Sequence, residues 1–193
     1  MQFQTTRLTI REVSLVDLIA IHELLSLPET DQFNTLGIPE NMEATAQLVL
    51  GWSGEKDKVR NAYTFSIELT STRQFIGLIA LYKGKPTYKK GEIWFKTHSK
   101  HWNMGYTTEA LKRILKFAFT ELKLHRVEAG CAVPNTASKR VLEKVGMVQE
   151  GLLRANLPIR GQWIDNFEFG MLDSDYEKLV ESGDEEEATT KIP

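Results

Sequence analysis

The sequence predicts an α/β (α+β) fold, a single domain built on a mixed, mostly antiparallel sheet flanked by helices. Three observations carry that expectation. A chain of 193 residues, 41% hydrophobic and 26% charged, is long enough to bury one well-packed core and too short for two. Between residues 62 and 97, runs rich in aromatic and β-branched residues alternate and are separated by short turns, as hairpin strands are. From residue 91 to 133 the pattern becomes strand, loop, amphipathic helix, strand. A right-handed crossover of that kind leaves its two strands parallel or nearly so.

In chain order, Leu8-Thr9-Ile10-Arg11 reads as a first strand. Ser14 is placed to cap a helix whose apolar face is Leu18, Ile21, Leu24 and Leu25, with Pro28 just beyond its end. Residues 29 to 39 hold Asp31, Asn34, Gly37 and Pro39 and are expected to form a loop. A second helix, about Glu40 to Trp52, has Met42, Ala46, Val49 and Leu50 on its apolar side. The charged stretch Gly54 to Asn61 separates it from strands Ala62 to Leu69 and Gln74 to Tyr82, a hairpin around Thr70-Ser71-Thr72-Arg73. Lys83, Lys85, Lys89 and Lys90 make the next turn basic, and the strand 91 to 97 follows. Leu111, Ile114, Leu115, Ala118 and Leu122 then mark a long helix. The strand His125 to Val133 stops at Pro134, after which Asn135 is a natural N-cap for a helix ending at Gly146. Met147 to Ala155 and Gln162 to Leu172 read as a closing strand pair across Pro158-Ile159-Arg160-Gly161, and a short helix runs from Ser174 to Val180. The domain therefore spans 1–180. Residues 181–193 are acidic, lack apolar periodicity and are expected to be a disordered tail.

Composition removes several function classes. The formal net charge of -2 implies no global pull toward nucleic acid or an anionic membrane, so any anion site must be local. A single cysteine, Cys131, excludes an internal disulfide framework and a Cys-based zinc site. It lies in an apolar strand and is expected to be core. The first residues read as neither signal nor transit peptide, and no apolar stretch approaches the roughly 20 residues of a membrane span. The expectation is a cytoplasmic protein, monomer or homodimer, with no nucleic-acid or membrane partner.

The stretch most suited to chemistry is Lys100-His101-Trp102-Asn103-Met104-Gly105-Tyr106-Thr107-Thr108-Glu109-Ala110, which leads from a strand into the long helix. A helix start presents unpaired N–H groups and the positive end of the dipole, which suits a phosphate. Gly105 lets backbone approach such a ligand, and Lys100 and His101 add positive potential. Ordinary strand-to-helix turns also carry one glycine, so this stretch alone leaves both readings open.

Two blocks together narrow the choice. Trp102 to Ala110, followed by Val133-Pro134-Asn135-Thr136-Ala137-Ser138-Lys139-Arg140-Val141-Leu142-Glu143-Lys144-Val145-Gly146-Met147, resembles the acetyl-CoA signature of the GCN5-related N-acetyltransferase (GNAT) superfamily. Thr6-Arg7-Leu8-Thr9-Ile10-Arg11, Glu150-Gly151, Gly161 and Asp165 resemble its branch of ribosomal-protein N-terminal acetyltransferases. The resemblance implies a central parallel strand pair that splays apart. It implies that the amides of Asn103, Met104, Gly105, Tyr106 and Thr107 hold the pyrophosphate of acetyl-CoA, that the backbone of Trp94, Phe95 and Lys96 pairs with the pantetheine arm, and that Asn135 touches the pantetheine with Arg140 near the nucleotide. The branch usually has glycine at Asn103, a basic residue at Met104 and a small one at Thr107, so these three positions depart from its pattern.

Acyl transfer from a thioester to an amine needs a base for the amine, donors for the carbonyl oxygen and an acid for the thiolate. By likeness to the family, Ser138 is the candidate acid, its alternative being a first-turn helix hydroxyl. Glu92 is the candidate base, its alternative a salt bridge or an edge carboxylate, and Asp165 is a second candidate. No metal is needed. Three functions follow: acetylation of a protein N-terminal amine such as that of a ribosomal protein, acetylation of a small amine or antibiotic, or CoA binding without turnover. The first expects an open groove and the second a closed acidic pocket.

Overall fold

The computed structural model describes residues 1–53 and 60–183. Most of the charged stretch after Trp52 and of the acidic tail lies outside the described residues. Within them, strands β1 (Gln2–Gln4), β2 (Leu8–Glu12), β3 (Ala62–Leu69), β4 (Phe75–Lys83), β5 (Lys90–Thr97), β6 (Arg126–Ala132), β7 (Val148–Ile159) and β8 (Gln162–Leu172) form one sheet. Their order is β1-β2-β3-β4-β5-β6-β8-β7. Neighbours are antiparallel except β5 and β6, the parallel pair that closes the crossover.

The helices are α1 (Leu18–Ser26), α2 (Pro28–Asp31), α3 (Met42–Trp52), α4 (Tyr106–Lys116), α5 (Thr136–Lys144) and α6 (Asp173–Glu181). They cover both faces of the sheet. Odd-numbered side chains of β5, Ile93 and Phe95, join Phe65, Ile79, Leu111, Ile114, Leu142 and Tyr176 in the larger core beneath α4, α5 and α6. Even-numbered ones face the other way, where Leu78 and Trp94 pack with Ile21, Leu24, Val49 and Trp52 of α1 and α3. This is why β3 and β4 are buried along most of their length instead of alternating with water. No helix among the described residues is long and apolar enough to cross a membrane.

Five local departures from the sequence reading have physical reasons. Gln2–Gln4 adds an edge strand, with Phe3 inserted between Phe65 and Phe117. The first helix opens as a 3-10 turn, Leu15–Asp17, because Asp17 accepts the Ser14 amide at 3.0 Å while pairing with Arg11 at 2.6 Å. Pro28 starts α2 rather than following a terminus, since its missing N–H costs nothing at a first helical position. Glu40 stays outside α3 because Asn41 caps it, accepting from the Ala44 amide at 2.9 Å. β7 runs on through Pro158, which an edge strand tolerates. After Lys116 the long helix continues as a π-helical segment, Phe117–Glu121.

Candidate functional site

The site is set by where the parallel pair stops. β5 and β6 share only the registers Lys90↔Arg126, Gly91↔Val127 and Glu92↔Glu128. Past Glu92, β5 keeps its partner β4 as far as Thr97, and β6 keeps β8 as far as Ala132. The two strands therefore fork, and among the described residues no strand lies against the β6-facing edge of β5 from Ile93 onward. Exposed main-chain donors and acceptors of this kind are a template for an extended, amide-bearing ligand.

At the open end of the fork lies the loop into α4. Asn103 has φ +61° and Gly105 φ +80°, both left-handed. Asparagine is the residue other than glycine that takes this conformation most readily, so Asn103 keeps the geometry for which glycine is the usual choice. The loop is tied on two sides. Trp102 Nε1 donates to the Thr97 carbonyl at 2.7 Å, and the Thr97 and Thr107 hydroxyls meet at 2.8 Å, which gives Thr107 a role a smaller residue lacks. From the other side Arg7 donates to the Met104 carbonyl at 3.0 Å and to Glu109 at 2.7 Å, and its guanidinium lies 4.6 Å from the Tyr106 ring centroid. Glu109 also accepts from the Arg7 amide and the Thr5 hydroxyl. With the Met104 carbonyl drawn toward Arg7 and α4 beginning at Tyr106, Asn103, Met104 and Gly105 stay exposed at a helix N-terminus. Lys100 is exposed beside them, and burial, with the neighbouring His98 and Lys100 charges, lowers the His101 pKa. A diphosphate fits such a start.

Across the fork, α5 begins where β6 ends. Asn135 Oδ1 accepts from the Ser138 amide at 3.1 Å, so the cap belongs to Asn135 and the Ser138 hydroxyl is not needed for it. Asn135 and Ser138 are half-buried, and Arg140 is exposed on the outer side of α5. Asp165 is committed elsewhere, for its Oδ1 accepts from the Ala155 amide at 2.8 Å, where the β7–β8 register slips. Cys131 is buried in the core, and burial pushes its thiol up to about 11.

The face of the fork toward α1 and α2 carries the charged groups. Glu92 is exposed, and Glu128 stands opposite it in register. Burial works against the Glu128 charge, but Arg126 at 2.7 Å and Lys90 at 2.9 Å outweigh it and hold the carboxyl below its usual range. Glu168 comes from β8, opposite Gly130, and is raised by burial, against a hydrogen bond from Asn166 and with the charges of Glu92 and Glu128 adding to it. Further along the same face of β5, Lys96 is 5% exposed and burial lowers it to about 8, opposed by the charge of Asp31. Glu168 and the Lys96 side chain were missed by the sequence reading. The signal available was a charged residue at the alternate position of an otherwise apolar strand. A cavity of about 310 Å³ between α4, the C-terminal end of α5 and α6, lined by Lys112, Glu143 and Leu179 among others, lies apart from this fork.

The residues present fit acetyl-CoA: amides at a helix start for its diphosphate and a free strand edge for its amide-bearing arm. Comparison with known proteins agrees. A family model described as acetyltransferase (GNAT) domain matches residues 7–148. The uncharacterized N-acetyltransferase YnaD of Bacillus subtilis (strain 168) is 32% identical over 178 residues, covering 91% of this chain and 99% of that protein. The spermidine N(1)-acetyltransferase of Vibrio cholerae serotype O1 is 26% identical over 129 residues, covering 62% of this chain and 75% of that protein. Among solved structures, the acetyltransferase (GNAT family) from Bacillus anthracis superimposes with a TM-score of 0.80 at 31% identity, covering 90% of this chain and 99% of that one. The chain therefore belongs to the GNAT family of acetyltransferases, enzymes that take an acetyl group from acetyl-CoA.

Proposed function

We propose that this chain acetylates a primary amine that reaches the fork from the Glu92 face, with the α-amine of a peptide or protein N-terminus as acceptor. The observation that carries the reading is the placement of three carboxylates, Glu92, Glu128 and Glu168, on one face of the sheet where β5 and β6 part. Glu128 is paired with Arg126 and Lys90, so Glu92 and Glu168 are the two that attract an ammonium, and they leave an acceptor for its proton. A carboxylate is a weak base, and an α-ammonium with pKa of about 7.7–8.0 is far easier for it to deprotonate than an alkylammonium above 10.

Acetyl-CoA supplies an acetyl thioester. The amides of Asn103 to Thr107 hold its diphosphate, and the fork-side main chain of Phe95, on the free edge of β5, aligns its arm, since the main chains of its neighbours Trp94 and Lys96 turn toward β4. An N–H of that edge lies beside the fork for the carbonyl oxygen as it becomes negative. Glu92 takes the proton from the amine, directly or through water, as the C–N bond forms. Ser138, whose hydroxyl is not used by the helix cap, gives a proton to the departing sulfur as the C–S bond breaks. Orientation of the amine contributes much of the rate.

A polyamine acceptor is the second reading, favoured by the same carboxylates and by the likeness to the spermidine enzyme. Labelled acetyl-CoA offered to N-terminal peptides and polyamines in parallel tests both. Transfer to peptides supports the first reading, transfer to polyamines alone replaces it with the second, and binding of acetyl-CoA without transfer to either refutes both.

A further inference from the structure

The acceptor face of β5 changes sign along its length, and its cationic end has no hydrogen-bond partner among the described residues. Glu92, Trp94 and Lys96 share this face, and Lys96 lies opposite Leu78, which faces α1. Lys96 Nζ is buried and forms no hydrogen bond among the described residues. The counter-charge that acts on it is Asp31 of α2, itself 4% exposed. Asp31 is already compensated, since its Oδ2 accepts from Arg160 at 3.0 and 3.3 Å, and Arg160 also holds the Pro28 carbonyl at 3.2 Å. Arg160, at the turn between β7 and β8, is thereby strapped to α2. Asp31 Oδ1 has no hydrogen bond either. The remaining charged neighbours of α2 are engaged elsewhere: Glu29 accepts from Ser99 at 2.8 Å, and Glu23 lies 3.7 Å from His98. A buried ammonium without a hydrogen-bonded acceptor is costly, and the cheapest remedy is an oxygen anion delivered from outside.

Resting on the acetyl-transfer reading, we propose that Lys96 is a specificity-determining residue that binds a carboxylate on the acceptor. An amine positioned between Glu92 and Trp94 lies two to four strand residues from Lys96, about 7–13 Å at 3.3 Å per residue. The acceptor is then an amine that also carries a carboxylate at that reach, as an ω-amino acid does, or a peptide N-terminus with an acidic side chain among its first residues. A polyamine presents a second cation to Lys96 and is disfavoured.

The test uses matched acceptors: 5-aminopentanoate against pentylamine, the peptide Ser-Glu-Ala-amide against Ser-Gln-Ala-amide, and spermidine. The ratio of kcat/KM within each pair is the readout, measured in the full-length protein and in Lys96→Met and Lys96→Arg. The native chain is expected to prefer the carboxylated member of a pair by at least about 10-fold, mostly through KM, the cost of losing a charged hydrogen bond. Lys96→Met brings the ratio to about one, and Lys96→Arg retains part of it. Preference within the first pair points to a small amino acid, and within the second to an acidic peptide. Equal use of both members by the native chain, a preference for spermidine, or a preference that survives in Lys96→Met overturns the proposal. If no acceptor is acetylated, the functional reading fails by itself, and the same pairs are compared by calorimetry on protein saturated with CoA. Tighter binding of the carboxylated member, lost in Lys96→Met, then upholds the Lys96 site, and equal binding refutes it.

Discussion

Lys96 carries its charge at a cost that pH can reveal. Burial lowers it to about 8 in the folded chain, against about 10.4 when unfolded. Between those values the unfolded chain binds the proton and the folded one does not, so stability rises with pH through that window. Below it the charged lysine costs the fold about 3 kcal/mol. Lys96→Met is therefore expected to raise Tm by several degrees at pH 7 and to flatten the rise between pH 8 and 10, as thermal melts across pH would show. An unchanged pH profile would place Lys96 in contact with water. Ser138 and Glu92 make a second residue-scale prediction. Because Asn135 provides the cap, Ser138→Ala should leave stability and acetyl-CoA affinity nearly unchanged while lowering kcat about 10²- to 10⁴-fold. Glu92→Gln should displace a limb of the pH–rate profile. Unchanged kcat in both would leave positioning alone to account for the rate.

The loop before α4 gains its shape from Arg7, about a hundred residues distant in sequence. Glu109→Gln keeps the helix but weakens the ion pair that aims Arg7 at the Met104 carbonyl. We expect it to raise the acetyl-CoA Kd several-fold and to lower Tm by a few degrees, because the Glu109 carboxylate is only 14% exposed and also holds the Arg7 amide and the Thr5 hydroxyl. Gly105→Ala forces a side chain into φ +80° with Arg7 Nη2 3.3 Å from the new Cβ, and should weaken acetyl-CoA far more than Lys100→Ala does. Equal losses would shift the site from main chain to side chains. These elements also show what the sequence could and could not disclose. The helix start at Gly105, the Asn135 cap and the strands around them were readable, because caps, glycines and alternation are local signals. Asn103 looked like a departure until its φ of +61° showed which conformation it keeps. The Arg7–Glu109 pair, the Asp31–Arg160 strap and the neighbourhood of Glu168 join residues 102, 129 and up to 76 positions apart. No local pattern encodes such pairings, so the acceptor side stayed blank where the cofactor side did not.

For the molecule as a whole, acetyl-CoA is expected to stabilise the fold by roughly 2.7 kcal/mol when present at about 100 times its Kd. A melting curve with and without millimolar acetyl-CoA measures this, and the absence of any shift would contradict the cofactor site. The three-residue ladder between β5 and β6 has a further consequence. It joins a plate of five strands to a plate of three, each held by longer ladders of its own. Compliance concentrates at such a joint, so the softest deformation of the sheet is the two plates swinging about Lys90 to Glu92. A ligand lying in the fork adds rungs where the ladder has none and stiffens the swing. In hydrogen–deuterium exchange the fork-side amides of Ile93 to Thr97 should therefore slow when acetyl-CoA is added, while those of the β3–β4 ladder, away from the joint, keep their rates.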